Sequence, residues 1–468
     1  MKRQKLYLFC FILIYSLSLL YKPHTAYATV ADVGSWPEGP GVYAEGAIVV
    51  EASTGLILYS KNMDEQYYPA SITKIMTALV AIENSTPGEI VTFSKNAVFG
   101  VDLNSSRIGI DVGEQLTMQQ CLYAILLESA NEVSYAVAEH VGGGDADVFF
   151  EMMNEKARSL GCKNTNFVNP HGLHDGNHYT SPYDMALITR EAMKYDAFRK
   201  IFSTRTYKIP PTNIQKETRY LANHHKFILN RSYENCIGGK TGFTSVSRYT
   251  LVTTAKRGDL ELICVVMRDD TSGHQYSDTT KLLDYGFDNF SIYPIADLEK
   301  SPVLKETPFF TRYNTLLNKT DGSITTDKEG YLVLPNSASF GDAIKEVSFF
   351  PAVNGYEENN VIGKISYTYN GKYVGGADIL YHDVERPSLF HEESEKPEPT
   401  ITPSGSVTEE NKVSYRPVII GLIVGLFALV IGLYFVLVER PRLKRRSAYY
   451  KKRALRKASF QDDDYLDL

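Results

Sequence analysis

Residues Ala70-Ser71-Ile72-Thr73-Lys74, continued by Ile75-Met76-Thr77-Ala78-Leu79-Val80-Ala81-Ile82, decide how this chain is read. Ile72, Ile75, Met76, Leu79 and Val80 recur at helical spacing, so the stretch predicts a helix that starts near Ser71 and buries one face. Lys74 then lies one turn beyond Ser71 on the same side, with its amine in reach of the Ser71 hydroxyl. A nucleophilic serine whose base is a lysine needs that arrangement. An ordinary helix start offers the same pair, because serine favours the first turn and lysine favours solvent. The surrounding stretches have to decide between the two.

Ala47-Ile48-Val49-Val50 and Leu56-Ile57-Leu58-Tyr59 flank Ser53-Thr54-Gly55 and read as a β-hairpin. Beyond the first helix, Thr117 and Gln120 match a capping box, and Leu122, Ile125 and Leu126 supply the buried stripe of a second helix that ends at Ser129-Ala130-Asn131. Another helix runs from Glu132 to about His140 and is closed by Gly142-Gly143-Gly144. The polar break between these two apolar helices is expected to form a fixed corner. Asn169-Pro170-His171-Gly172-Leu173 reads as a turn, and Ser181-Pro182-Tyr183-Asp184 opens a helix through Met193. His171 could complete a Ser-His-Asp triad, but Lys74 already offers a base, so a histidine between Pro and Gly is read as a loop brace. Gly238-Gly239-Lys240-Thr241-Gly242 leads into a β-rich stretch. There, Tyr249–Thr254 and Leu260–Val266 surround Lys256-Arg257-Gly258-Asp259, again a hairpin, and are expected to rejoin the sheet begun near residue 48.

At 468 residues the chain is long for one core, so two folded domains are expected. A net charge of -6 with scattered charges excludes nucleic acid as the expected partner. Met1-Lys2-Arg3-Gln4-Lys5, the apolar stretch Leu6 to Leu20 and Ala26-Tyr27-Ala28 read as a signal peptide over 1–28, cleaved after Ala28. The 21 residues from Val418 to Val438 carry no charge. As a helix they would measure roughly 30 Å, enough for a transmembrane span at 418–438. The basic tail, 439–468, with Arg440, Arg442, Lys444, Arg445 and Arg446 next to the span, is expected in the cytoplasm, and Thr29 to Arg416 outside the membrane. Within that region, 29–295 reads as the catalytic domain. Residues 305–386 read as a small β-rich domain, with an Asn370-Gly371 hairpin turn and no concentration of catalytic residue types, so its expected role is positioning. Residues 387–415, with Pro397, Pro399 and Pro403 among glutamates, cannot bury enough to fold and read as a disordered stalk. Cys121, Cys162, Cys236 and Cys264 have neither metal nor redox spacing and read as small core residues, with no bridge assignable.

Ser71-x-x-Lys74, Ser129-x-Asn131 and Lys240-Thr241-Gly242 therefore stand in order along the chain, each at a defined structural position. With Tyr68-Pro69-Ala70, Ala138-Glu139-His140 and Phe167-Val168-Asn169-Pro170-His171-Gly172-Leu173, they make residues 40 to 290 resemble the low-molecular-mass penicillin-binding proteins that are D-alanyl-D-alanine carboxypeptidases. The resemblance implies an α/β fold of the α+β type. This is a penicilloyl-serine transferase or β-lactamase-like domain with an antiparallel sheet and a helical cluster, here followed by a small all-β domain and a C-terminal transmembrane helix. Relatives in that family often attach through an amphipathic helix, so a full span is a departure that bears on anchoring alone.

The resemblance also implies roles. Ser71 attacks the terminal D-Ala-D-Ala bond of peptidoglycan stem peptides and is acylated by β-lactam antibiotics, with Lys74 as base and Ser129 relaying a proton to the leaving amine. Asn131 orients Lys74 or the substrate amide, Lys240 and Thr241 suit the terminal carboxylate, and Gly242 lets an extended peptide lie along the strand. The N–H groups of Ser71 and Phe243 form the oxyanion hole. No metal or cofactor is called for. A base at neutral pH requires Lys74 to fall from about 10.4 to near 7, roughly 4 kcal/mol, and burial beside Lys240 pushes in that direction. A DD-transpeptidase or endopeptidase differs only in the acceptor or bond. A β-lactamase of the soluble class would carry Glu-x-x-Leu-Asn between Asn131 and Lys240, which is absent, and a β-lactam sensor would need a transducing domain larger than the tail.

Overall fold

In the computed structural model, residues 36–299, 324–350 and 361–381 are described. The expected signal peptide, stalk, transmembrane helix and basic tail lie outside them. Among the described residues no helix is long and apolar enough to cross a membrane.

The hairpin expected around Gly55 forms from β1 (Gly46–Glu51) and β2 (Ile57–Lys61), with Gly55 at φ +76° in the turn. Helices follow: α1 (Lys74–Asn84), α2 (Met118–Leu127), α3 (Asn131–Val141), α4 (Ala146–Ser159), α5 (Pro182–Ala192) and α6 (Asp196–Phe202). The Thr117 hydroxyl takes the Gln120 N–H and the Gln120 side chain takes that of Thr117, the capping box read in the sequence. The chain then returns as β3 (Cys236–Thr244), β4 (Arg248–Arg257) and β5 (Leu260–Asp269), and α7 (Ser272–Asn289) follows. The strands form one antiparallel sheet in the order β2-β1-β5-β4-β3, so the returning segment does rejoin the sheet begun near residue 48.

Both faces of this sheet are covered. Ile48, Val50, Val252, Ile263, Val265 and Met267 pack into the cluster of helices α1 to α6, whereas Ala47, Val49, Leu251, Leu262, Cys264 and Val266 pack with Leu282, Leu283 and Phe287 of α7. Strict alternation between two buried faces explains why Leu260 to Val266 reads as an almost unbroken apolar run. Helix α1 is buried on all sides, not on one face as its spacing suggests, because helices surround it on the covered side of the sheet. Its polar residues therefore need internal partners. Thr77 donates to the Pro170 carbonyl at 2.6 Å. His178 Nε2 lies 2.8 Å from Thr73 Oγ1, and since His178 Nδ1 accepts from Val168 N–H, Nε2 carries the proton and donates.

A second antiparallel sheet takes its first strand, β6 (Phe290–Pro294), directly from the end of α7. The sequence reading starts this β-rich part near 305, since no turn signal separates α7 from β6. The other strands are β7 (Ile324–Thr326), β8 (Tyr331–Pro335), β9 (Ile344–Phe349), β10 (Val361–Tyr369) and β11 (Lys372–Tyr381), in the order β6-β8-β11-β10-β9 with β7 beside β11. Asn370 and Gly371 both take positive φ, 49° and 74°, as a two-residue hairpin turn requires. The four cysteines of the described part are free thiols, with Cys121 and Cys264 buried.

Candidate active site

Ser71 does not begin α1. Ala70 to Thr73 form a tight 3-10 turn, and Ala70 itself sits at φ +50°. A left-handed alanine costs on the order of 1–2 kcal/mol, so the turn must be held from outside. Thr250 of β4 donates to the Pro69 carbonyl at 2.8 Å. A β-carbon on Gly172 would lie 1.8 Å from the Ala70 carbonyl oxygen, so the 170–172 turn presses flat against it. A β-carbon on Gly242 would lie 2.9 Å from the Ser71 amide nitrogen and 3.0 Å from the Pro69 oxygen. Glycine at 242 thus lets β3 approach the nucleophile's own backbone, a reason distinct from room for a peptide.

Lys74 is fully buried, and its Nζ meets three oxygens: Asn131 Oδ1 at 2.6 Å, the His171 carbonyl at 2.6 Å and Ser71 Oγ at 3.1 Å. A neutral amine has two N–H bonds and one lone pair. The two short contacts to carbonyl oxygens use both N–H bonds, which leaves the lone pair for the Ser71 hydroxyl. Burial, and then the charge of Lys240, push Lys74 well below the usual lysine range. Glu132 opposes them: its buried carboxylate, which takes the Ile108 N–H at 2.7 Å, favours the ammonium form.

Ser129, the corner between α2 and α3, adopts φ +60° and is 3% exposed. Its Oγ accepts from Lys240 Nζ at 3.1 Å, and Lys240 also donates to the Thr241 carbonyl at 2.8 Å. Burial alone brings Lys240 down to about 7. Behind Lys240 on β3, the ring of His225 fills the space a side chain on Gly239 would need, at 2.3 Å. Burial and Lys240 push His225 down to about 3, so it is neutral there. Thr241 is partly exposed, while Phe243 is exposed and rests on Tyr249 with ring centres 4.5 Å apart.

Ser71, Lys74 and Asn131 therefore form one hydrogen-bonded group and Ser129 with Lys240 another, and the charge of Lys240 acts on Lys74 between them. Thr241, Gly242 and Phe243 continue along the same strand. His171 contributes its carbonyl to Lys74; its imidazole accepts from Leu173 N–H at 3.2 Å and braces the loop. Burial, Lys74 and His178 push that imidazole well below its usual range. Thr250, His178 and Gly172 also build the site and were not legible, since each acts on backbone or on a second residue.

The signature of the D-alanyl-D-alanine carboxypeptidases matches residues 35–271. D-alanyl-D-alanine carboxypeptidase DacF of Bacillus subtilis is 35% identical over 254 residues, which are 54% of this chain and 64% of that relative. Among solved structures, the Streptomyces K15 DD-transpeptidase is 32% identical with a TM-score of 0.51, over 54% of this chain and all of that one, 100%. Penicillin binding protein 5 from Haemophilus influenzae is 26% identical with a TM-score of 0.58, over 75% of this chain and 99% of that one. The architecture is thus the mixed helix-and-sheet fold of the penicillin-binding proteins, and the chain belongs to the D-alanyl-D-alanine carboxypeptidase family of serine peptidases.

Proposed function

We propose that this protein removes the terminal D-alanine from peptidoglycan stem peptides and that β-lactam antibiotics acylate the same serine. The observation that carries this reading is the dry triad of contacts at Lys74 Nζ, which leaves one lone pair facing Ser71 Oγ at 3.1 Å. Ser71 attacks the carbonyl carbon of the penultimate D-alanine while its proton passes to Lys74. The N–H groups of Ser71 and Phe243 hold the developing oxyanion. Ser129, bonded to Lys240, passes its proton to the leaving nitrogen and is reprotonated by Lys74, so that the C–N bond breaks, D-alanine departs and Lys74 is neutral again. Protonated Lys240 and the Thr241 hydroxyl hold the terminal carboxylate, and Asn131 keeps Lys74 aimed. Water then attacks the acyl-enzyme carbonyl while Lys74 takes its proton, and that proton returns to Ser71 Oγ as the ester C–O bond breaks.

The reading extends to the cell. An N-terminal signal peptide at 1–28 and a span at 418–438 followed by basic residues support a single-pass protein with its catalytic part on the outer side of the membrane. Similarity to a DD-transpeptidase supports a second activity, in which an amine takes the place of water.

The test is to incubate the full chain with diacetyl-lysyl-D-Ala-D-Ala and, separately, with labelled penicillin. Free D-alanine with slow release of the penicilloyl group is expected. Rapid penicillin turnover, or a lasting adduct without peptide hydrolysis, overturns the reading. Transfer to added glycine in place of hydrolysis makes the transpeptidase the main activity.

A further inference from the structure

A cavity of about 390 Å³ opens between the tip of the β1–β2 hairpin and the second sheet, within the range of small-ligand sites. Ser53, Thr54 and Arg190 of α5 form one wall. The Arg190 guanidinium is fixed there: Nε donates to the Ala52 carbonyl at 2.7 Å and Nη2 to the Ser53 carbonyl at 2.5 Å. A β-carbon on Gly55 would lie 3.0 Å from Nη1, so glycine keeps that edge clear.

Across the cavity, the floor is bare by necessity. A β-carbon on Gly330 would lie 2.3 Å from that of Ala377, and one on Gly376 would lie 2.5 Å from the Ile365 carbonyl oxygen. Around the floor stand Tyr331, Tyr373, Lys364 and the carboxylates of Asp327, Glu329 and Asp378. Lys364 and Asp378 are opposite each other in the β10–β11 register without forming an ion pair. The Asp327 carboxylate accepts the Glu329 N–H of its own turn, at 3.0 Å. Burial pushes the Tyr373 phenol up, while Arg190 favours its ionisation and Asp378 opposes it.

This lining selects a chemistry. An anion would meet three carboxylates, and a cation would meet Arg190 and Lys364. A neutral, hydroxyl-rich ligand uses donors and acceptors together, as this mostly polar lining offers. We propose that the cavity binds the sugar backbone of the polymer whose peptides the Ser71 site trims; this rests on the function proposed above. The sheet that carries the Ser71 site reaches the cavity through the β1–β2 hairpin. Ala52 pairs with Glu261, whereas Lys240 is level with Val265 through Val252, so they are offset by four residues along β5, roughly 13 Å, and by the three strand spacings from β1 to β3, roughly 14 Å. A glycan held at the cavity would keep its peptides near the Ser71 site at raised local concentration.

The experiment uses the full chain carrying Ser71→Ala, so that no acyl-enzyme forms, and titrates it calorimetrically with peptide-free glycan strands. Saturable binding is expected, weakened at least tenfold by Tyr373→Ala and by Asp378→Asn. Each variant in the Ser71 protein is expected to hydrolyse diacetyl-lysyl-D-Ala-D-Ala at the unaltered rate. No glycan binding, binding untouched by both substitutions, or binding of stem peptide alone at this cavity overturns the inference. Loss of tripeptide hydrolysis in the unaltered protein would instead overturn the proposed function, while glycan binding is read independently of it.

Discussion

Lys74 and Lys240, at 0% and 1% exposure, stand against Lys364 of the second sheet and Arg190 of α5, which line the cavity and are exposed and half-buried respectively. In the first region every amine is stripped of solvent and handed a set of protein oxygens, and both fall far from the ordinary lysine range. In the second, Lys364 is exposed, and Arg190 is half-buried with two of its nitrogens on the Ala52 and Ser53 carbonyls. The difference separates reaction from recognition. An amine becomes a base only where water no longer stabilises its charged form, whereas hydrogen-bonding a polar ligand needs no such perturbation.

Lys74→Met breaks the first region most completely, because it removes the lone pair while filling similar volume. Peptide hydrolysis and the rate of acylation by fluorescent penicillin are expected to fall by roughly 10⁴-fold. Lys364→Met in the second region is expected to leave both rates unchanged. Comparable losses in the two variants would abolish the distinction.

Gly242→Ala tests whether closeness of backbone, not only charge, sets the dry region apart. The added carbon meets Ser71 N at 2.9 Å and Thr250 Oγ1 at 2.3 Å, so the nucleophile turn must shift by several tenths of an ångström. A loss of about 10²-fold in acylation, with thermal stability largely kept, is the expected outcome. An unchanged acylation rate would mean that β3 does not register the serine.

How much of this was legible follows from the same physics. Ser71, Lys74, Ser129, Asn131 and Lys240 act through their side chains, so residue type and spacing expose them. The capping box at Thr117 and the Asn370-Gly371 turn were legible for the same local reason. Ala70 was not, because alanine carries no signal for φ +50°; the conformation is imposed by Thr250, Gly172 and Gly242, all remote in sequence. The carbonyls of Pro170 and His171 reach α1 as backbone, which no side-chain motif records. Burial of α1 on every side was also hidden, since Thr73, Lys74 and Thr77 look like a solvated face until partners are known.

The pH dependence sharpens the comparison by resolving the two buried amines. Lys74 must be neutral to accept a proton, so activity rises as pH climbs through its depressed value. Lys240 must be charged to attract a carboxylate, and its own value of about 7 places the descending limb. The profile of kcat/KM, which reports the free enzyme, is therefore expected to fall about tenfold per pH unit above this point. Lys240→Arg is expected to lower the maximum and remove the descending limb, because a guanidinium keeps its proton throughout. A limb that persists in that variant would assign it to another group.

The smallest effect is expected at Thr250, where nothing ionises. Thr250→Val keeps the shape and leaves the buried Pro69 carbonyl without its donor, which costs about 1–3 kcal/mol of stability by denaturant unfolding. If that bond also holds Ala70 in its left-handed conformation, acylation slows several-fold with no displacement of the pH profile, since neither lysine changes its surroundings. Thr250→Ser, which restores the donor, is expected to recover most of the rate. Slowing accompanied by a moved ascending limb would mean instead that the turn shapes the solvation of Lys74, and that position and desolvation in the dry region are one property.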